Sequence, residues 1–110
     1  MARWRVRLSF VAEQDFAEIV GFTVEQFGVR QARIYQSTLT HALGALHAGP
    51  SVTGSRARDE IMPGLRSLHV AREGRRGRHF VLFRPGPEQT IEVLRILHDA
   101  MDLSRHLSKD

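Results

Sequence analysis

The pattern of apolar and polar positions is most distinctive in residues 78–98, RHFVLFRPGPEQTIEVLRILH, where two apolar runs flank a Pro-Gly-Pro sequence. Short runs rich in β-branched and aromatic residues, on either side of a five-residue loop with glycine, predict a β-hairpin. Period-two alternation places Val93 and Leu97 on one face of the second strand and Leu94 and Ile96 on the other. Because neither strand has a clean polar face, the pattern predicts a central hairpin covered on both faces, by this chain or by a partner.

A strand and two helices precede this hairpin. Residues 4–9 alternate between apolar and polar side chains, which predicts a half-buried strand. Apolar residues spaced by three and four predict helices at 11–27, after Ser9 as N-cap, and at 30–48. The core-facing stripe of the first helix is Ala12, Phe16, Ile19, Thr23 and Phe27. Phe22 lies off this stripe and is expected to be exposed.

The rest of the chain completes one small domain, residues 1–110. Residues 51–64 show little periodicity, 65–70 alternate as a strand, 72–77 form a basic turn, and 99–107 are expected to form a short helix. The predicted fold class is α+β with two layers. An antiparallel αα-hairpin packs on a mainly antiparallel four-stranded sheet (β-α-α-β-β-β), followed by a short C-terminal helix.

The αα-hairpin can cover only one face of such a sheet. The other face would still carry apolar side chains from the central hairpin, and an uncovered apolar face on a soluble domain is usually a binding surface. The sequence therefore predicts that a partner strand or helix is missing, rather than that this chain builds a larger core.

Composition adds a basic character. The formal net charge is +4, the pI is about 10.9, and all but one of the 16 cationic residues are arginine. A basic surface favours an anionic partner, either a nucleic acid or an acidic protein, although a coding bias towards arginine would produce the same composition. The absence of cysteine is consistent with a reducing cytoplasm. Residues 34–55 lack charge but hold several polar side chains, so no membrane span is expected.

Common catalytic and cofactor motifs are absent. The glycines form neither a dinucleotide fingerprint nor a phosphate-binding loop, and no nucleophile triad or carboxylate pair is recognisable. His98 and Asp102 could meet on one face of the last helix, but a hydrogen-bonded or capping role is favoured over metal binding. We therefore predict no metal and no cofactor.

Basic residues on the predicted sheet are the remaining candidates for chemistry. Arg66 and Arg95 interrupt apolar strand positions, where an arginine is either paired with an acid or faces a partner or solvent. One interpretation pairs them with Glu92, Asp99 or Glu60. The other places them on a concave surface for an anionic ligand.

Several segments together resemble the ParE toxins of the RelE/ParE superfamily, the toxin halves of bacterial type II toxin–antitoxin systems. The resemblance spans nearly the whole chain, in order and with similar spacing. The segments that carry it are Ala12, Asp15-Phe16, Ile19, Phe27-Gly28, Gln31-Ala32, Tyr35, Pro63–Arg66, Gly77–His79, Val81, Val93–His98, Met101-Asp102 and His106-Leu107.

The resemblance implies the fold already predicted, a ParD-like antitoxin partner in a hetero-oligomer, and DNA gyrase as the target. Direct DNA binding would then occur mainly through the antitoxin. The expected antitoxin-binding residues are Phe22, Arg66, Val81 and Phe83. In the ParE branch the end of the chain contributes to toxicity, so the expected target-binding residues are Arg95, His98, Met101, Asp102, His106 and Leu107. Such a toxin is an inhibitor without catalytic residues.

Two alternatives stay open. A RelE-like toxin would cleave messenger RNA on the ribosome, and Arg66, Arg95 and His98 would then be the catalytic candidates. This interpretation is disfavoured because Tyr35, the only tyrosine, falls at a core position of the second helix. The other alternative is a basic nucleic-acid-binding domain without toxicity, which would show steeply salt-dependent binding.

Overall fold

The computed structural model describes residues 3–107. Its elements are β1 (Arg5–Leu8), α1 (Phe10–Phe27), α2 (Val29–Ala45) with a 3-10 turn (Leu46–Ala48), β2 (Arg56–Ala57), β3 (Arg66–His69), β4 (His79–Gly86), β5 (Thr90–His98) and α3 (Leu103–Leu107). The sheet order is β1-β5-β4-β3-β2, with β1 parallel to β5 and the other pairs antiparallel. The predicted α+β class is confirmed, with α1 and α2 on one face of the sheet.

The start of α1 and the link between the helices follow from two residues. Ser9 is the N-cap, as predicted, because its Oγ accepts a hydrogen bond of 2.9 Å from the Ala12 N–H. Its own N–H donates to the Val93 carbonyl, which ties the start of α1 to β5. Gly28, with φ of 91°, joins α1 directly to α2 in a conformation that glycine adopts without steric cost.

Two element boundaries and the number of strands differ from the prediction. β4 continues through Pro85 to Gly86, so the hairpin loop is residues 87–89 rather than five residues. The sheet has a fifth strand, β2, whose two residues are too few to show periodicity in sequence. The last helix begins at Leu103 rather than Asp99.

The main core lies between the helices and the sheet. It consists of Ala12, Leu39, Ala42 and Leu46 from the helical layer and Leu68, Val70, Val81, Phe83, Ile91, Val93 and Ile96 from the strands that follow. Val81 and Phe83 are both 0% exposed here. They offer no accessible surface to an antitoxin, so the expectation that they bind one is wrong for this structure.

A β-bulge in β5 changes which side chains share a face. Leu82 pairs with Arg95 and Phe83 pairs with Val93, which leaves Leu94 without a partner. The extra residue reverses the alternation. Ile96 therefore joins Val93 in the main core, whereas Leu94 and Leu97 lie on the opposite face. The period-two assignment of Ile96 and Leu97 was wrong for this reason, whereas Leu94 lies opposite Val93 as predicted.

The opposite face of the sheet carries a second core. Leu65, Leu82 and Leu97 are buried there against Ile61, Met62, Phe80, Leu94, Leu103 and Leu107. The cover thus comes from the loop before β3 and from α3, both in the same chain. The prediction that a partner must cover this face was wrong, because a short loop and a five-residue helix suffice.

No helix among residues 3–107 combines the length and the apolarity needed to cross a membrane.

Candidate functional site

An open groove of about 1370 Å³ lies beside the helical hairpin. Its walls are the second half of α1, the first half of α2, the loop between β3 and β4, the end of β5 and the segment that leads into α3. The lining residues are Asp15, Glu18, Ile19, Phe22, Thr23, Phe27, Gln31, Ile34, Tyr35, Thr38, Ala71, Gly74–His79, Arg95–His98, Met101 and His106.

Exposed apolar side chains mark the helical side of this groove. Phe22 is 59% exposed, as predicted, and Ile34 is 51% exposed. Phe27, expected in the core, is 68% exposed because residues 24–31 at the tip of the hairpin are all exposed rather than packed on the sheet. Met101 adds a fourth apolar group from the segment before α3.

The sheet side of the groove is organised by Tyr35, which sequence analysis assigned only to the core. The Tyr35 hydroxyl lies 2.6 Å from His79 Nδ1 and accepts a hydrogen bond of 3.0 Å from the Arg78 N–H. With the hydroxyl donating to Nδ1, the His79 proton is on Nε2. The rings of His79 and His98 then meet edge to face, with centroids 5.3 Å apart. A Cβ at Gly77 would lie 3.1 Å from the Tyr35 hydroxyl and 2.4 Å from Val70, so this approach requires glycine.

Burial changes the acid–base properties of this cluster. Desolvation, together with the neighbouring His98, lowers the pKa of His79 to about 4, and desolvation raises the pKa of Tyr35. Both side chains are therefore neutral at pH 7. They act there as hydrogen-bonding groups rather than as a charged acid or base.

Asp99 connects the ends of β3, β4 and β5. It accepts hydrogen bonds from Arg78 Nε and from His69 Nε2, the latter at 2.9 Å. His69 Nδ1 accepts the Ala71 N–H, which places the proton of His69 on Nε2, towards Asp99. These two hydrogen bonds, that of Arg78 first, lower the pKa of Asp99 to about 2.

Asp15 forms a charged, hydrogen-bonded contact between α1 and β5. It is 8% exposed. Its carboxylate accepts from Arg95 Nε at 2.8 Å, from a second guanidinium nitrogen at 3.1 Å, and from the Ile96 N–H at 2.9 Å. β1 pairs with β5 only as far as Val93, so Asp15 satisfies a backbone N–H at the bare edge beyond it. Arg95 also donates to the His106 carbonyl in α3.

The predicted site residues fall in different places. Arg95, His98, Met101 and His106 line the groove. Asp102 instead caps α3, accepting from the N–H and hydroxyl of Ser104. Leu107 packs in the second core.

Arg66 lies apart from these groove residues. Its guanidinium donates to the Pro50 carbonyl and to Ser55 Oγ, and it is not among the groove residues. The structure therefore does not bring Arg66 together with Arg95 and His98, the three residues proposed for a ribonuclease.

The predicted acid partners of the arginines were also wrong. Glu92 pairs with Arg84, Asp99 with Arg78 and Glu60 with Arg58, as three ion pairs that do not involve Arg66 or Arg95. Asp15, the true partner of Arg95, is detectable in sequence, because an acid three residues after Ala12 falls on the core-facing stripe of α1.

His98 has a local role instead of contacting Asp102. Its Nδ1 accepts the Ala100 N–H at 3.0 Å. Among residues 3–107, no group of three potential ligands is placed to hold a metal ion.

We expect the stability of the fold to decline as the pH falls from about 6.5 to 4, because His79 must be neutral in the folded state. Its folded pKa of about 4 lies below the ordinary 6.5, so the unfolded chain binds more protons in this interval. Asp99, with a folded pKa of about 2 against 3.8, extends the loss from about pH 4 towards 2. The measurement is urea denaturation at a series of pH values.

The matched variants are His79→Asn and His106→Asn. Asparagine keeps an acceptor for the Tyr35 hydroxyl but does not titrate. In His79→Asn the free energy of unfolding should therefore change less between pH 6.5 and 4 than it does in the wild type. The exposed His106 should leave the curve unchanged. Equal curves for wild type and His79→Asn would contradict the assignment.

Comparison with known proteins identifies the family. Residues 6–103 match the family model described as the ParE toxin of the type II toxin–antitoxin system parDE. The chain belongs to the ParE toxin family. Toxin ParE1 from two strains of Mycobacterium tuberculosis, CDC 1551 / Oshkosh and ATCC 25618 / H37Rv, is 39% identical over 103 residues, which is 94% of this chain and 97% of the relative. The resemblance inferred from sequence is confirmed.

Solved structures share the ParE fold. A chain of the chromosomal ParDE toxin–antitoxin system from P. aeruginosa superposes with a TM-score of 0.71 at 21% identity, covering 86% of this chain and 95% of that one. A chain of the toxin–antitoxin complex RelBE2 from Mycobacterium tuberculosis has a TM-score of 0.60 at 22% identity, covering 88% and 99%. At these identities the two structures show the fold alone.

Proposed function

We propose that this ParE-family toxin inhibits DNA gyrase through protein contacts and is neutralised by a ParD-like antitoxin that occupies the groove. The observation that carries the proposal is the groove itself. It combines exposed Phe22, Phe27 and Ile34 with arginines at the rim. An apolar centre within a polar border, enriched in aromatic residues and arginine, is typical of protein interfaces.

The side chains that line the groove indicate what kind of segment would bind there. Arg75 and Arg76 line the loop side, opposite the apolar side chains of α1 and α2. An amphipathic segment with apolar anchors towards the helices and carboxylates towards these arginines would satisfy both sides. The two structural neighbours belong to toxin–antitoxin assemblies, which supports an antitoxin as the occupant.

We expect Phe22→Ala to weaken antitoxin binding at least tenfold, because truncation of a central aromatic anchor typically costs more than about 1 kcal/mol. The measurement is calorimetric titration with the proposed ParD-like antitoxin. Phe10→Ala is the matched control, since Phe10 is 72% exposed but lies outside the groove. Equal losses for both variants would place the antitoxin elsewhere.

The target is tested separately. Purified toxin should inhibit gyrase supercoiling or trap cleaved DNA, and the antitoxin should relieve the effect. Failure to inhibit at saturating toxin would reject gyrase as the target, whatever the outcome of the antitoxin titration.

A RelE-like ribonuclease is the second candidate, because Tyr35, His79 and His98 meet at the groove. The pKa of about 4 argues against it, because His79 is then too weak a general base at pH 7, and its Nδ1 is already engaged by the Tyr35 hydroxyl. Codon-phased cuts in a translation extract, lost in His98→Ala, would establish the ribonuclease and displace the gyrase proposal.

A further inference from the structure

The outer side of α2 differs from the groove in composition. Arg30, Arg33 and Ser37 follow one another at spacings of three and four, and Thr40 and His41 lie three and four residues after Ser37, which places all five on one helical face. That face points away from the core, because the buried residues of α2 are Ala32, Thr38, Leu39 and Ala42. Over the 11 intervals from Arg30 to His41 the stripe is about 16 Å long.

Arg75, from the loop between β3 and β4, extends this stripe. It lies 3.4 Å from Ser37 Oγ and borders a shallow depression with Arg33, Gln36, Thr40 and His41. Arg76, the next residue, is exposed and, like Arg75, also lines the groove. We call Arg30, Arg33, Arg75 and Arg76, with the polar residues between them, the basic face.

Few Asp or Glu side chains lie near the positive charges of the basic face. α2 contains no Asp or Glu, and the chain has none between Glu25 and Asp59. Within residues 3–107, none of the four arginines has a carboxylate oxygen within 4.0 Å. The one acid at the edge, Glu73, lies beside Arg72 and His41, so its charge is already compensated. The four arginines together equal the formal net charge of the chain, +4.

We propose that the basic face binds the phosphate backbone of duplex DNA, so that the toxin itself contacts DNA independently of its antitoxin. Arginine guanidinium groups, hydroxyls and an amide are the side chains that contact phosphate oxygens. The face has no exposed apolar centre, in contrast to the groove, and therefore has the polar, positively charged composition of a nucleic-acid interface. It also has no Phe, Tyr or Trp on which unpaired bases could stack, which favours a duplex over a single strand.

The test measures the fluorescence anisotropy of a labelled duplex of about 24 base pairs with the full-length toxin, between about 50 and 200 mM salt. The triple variant Arg33→Ala/Arg75→Ala/Arg76→Ala should bind at least tenfold more weakly at the lowest salt. Its slope of log affinity against log salt should be shallower by about 2 to 3, since each lost phosphate contact contributes about 0.9.

The matched control is Arg7→Ala/Arg56→Ala/Arg105→Ala, which removes the same charge from exposed positions outside this face. The control should keep most of the wild-type affinity and slope. Equal losses in both variants would overturn the proposal, because the attraction would then come from net charge alone. Tighter binding of single-stranded RNA or of polyglutamate than of the duplex would also overturn it. Circular dichroism verifies that both variants are folded.

Discussion

Asp15→Ala should lower the free energy of unfolding by about 3 kcal/mol, the cost of removing one partner from a buried ion pair. The substitution leaves Arg95 without its carboxylate and the Ile96 N–H without an acceptor at the bare edge of β5. Arg95 also holds the His106 carbonyl, so the change should loosen α3. Urea denaturation followed by the fluorescence of Trp4, the only tryptophan, measures the first effect, and hydrogen exchange in residues 103–107 measures the second.

Two variants show whether charge or hydrogen bonding carries this effect. Asp15→Asn keeps an acceptor for Ile96 but not the charge, so we expect an intermediate loss of about 1 to 2 kcal/mol. Glu18→Ala, one turn further along the same helix and exposed, should change stability by less than about 0.5 kcal/mol. If Asp15→Ala were as mild as Glu18→Ala, the contact between α1 and β5 would contribute little to the fold.

Leu82→Ala should destabilise the isolated chain by about 2 to 4 kcal/mol, through lost burial and the cavity left behind. Leu82 is 0% exposed, although it lies on the sheet face opposite the helices. The measurement is urea denaturation without any partner protein. This prediction separates the observed structure from the sequence-based expectation, under which that face is covered only when a partner binds.

Ile34→Ala is the control for Leu82→Ala, because Ile34 is an aliphatic side chain exposed in the groove. It should change the stability of the free chain by less than about 0.5 kcal/mol. Similar small effects from both variants would mean that Ile61, Met62, Leu103 and Leu107 do not cover the second face in solution.

Both faces of the sheet are thus covered by the chain itself, one by the helical hairpin and the other by the loop before β3 and α3. The second face is closed by the chain itself, so the surfaces left for partners are the groove and the basic face of α2. The proposed antitoxin contact rests on apolar anchors and the proposed DNA contact on arginines without a carboxylate partner, although Arg75 and Arg76 also line the groove. The Phe22 variant is measured on antitoxin binding and the Arg33/Arg75/Arg76 variant on DNA binding by the free toxin, so the two proposals can fail or succeed independently.

Local patterns were sufficient for most of the fold. Helical spacing, the Ser9 cap and the apolar runs of the hairpin predicted the two-layer α+β arrangement, because each depends on residues close together in sequence. The same patterns predicted that Phe22 is exposed. They failed for Phe27, since periodicity indicates which side of a helix is apolar but not how far the sheet beneath it extends.

The sequence by itself determined the family, the order of the elements and the double-sided apolarity of the central hairpin. Only the tertiary structure decided what covers the second face and which side chains form the groove. The reason is that these features join distant parts of the chain: Asp15 and Arg95 are 80 positions apart, and Tyr35 and His79 are 44 apart. Leu94, which has no partner on β4, also reverses the alternation of β5. This bulge depends on the pairing with β4, so the sequence of β5 alone does not predict it.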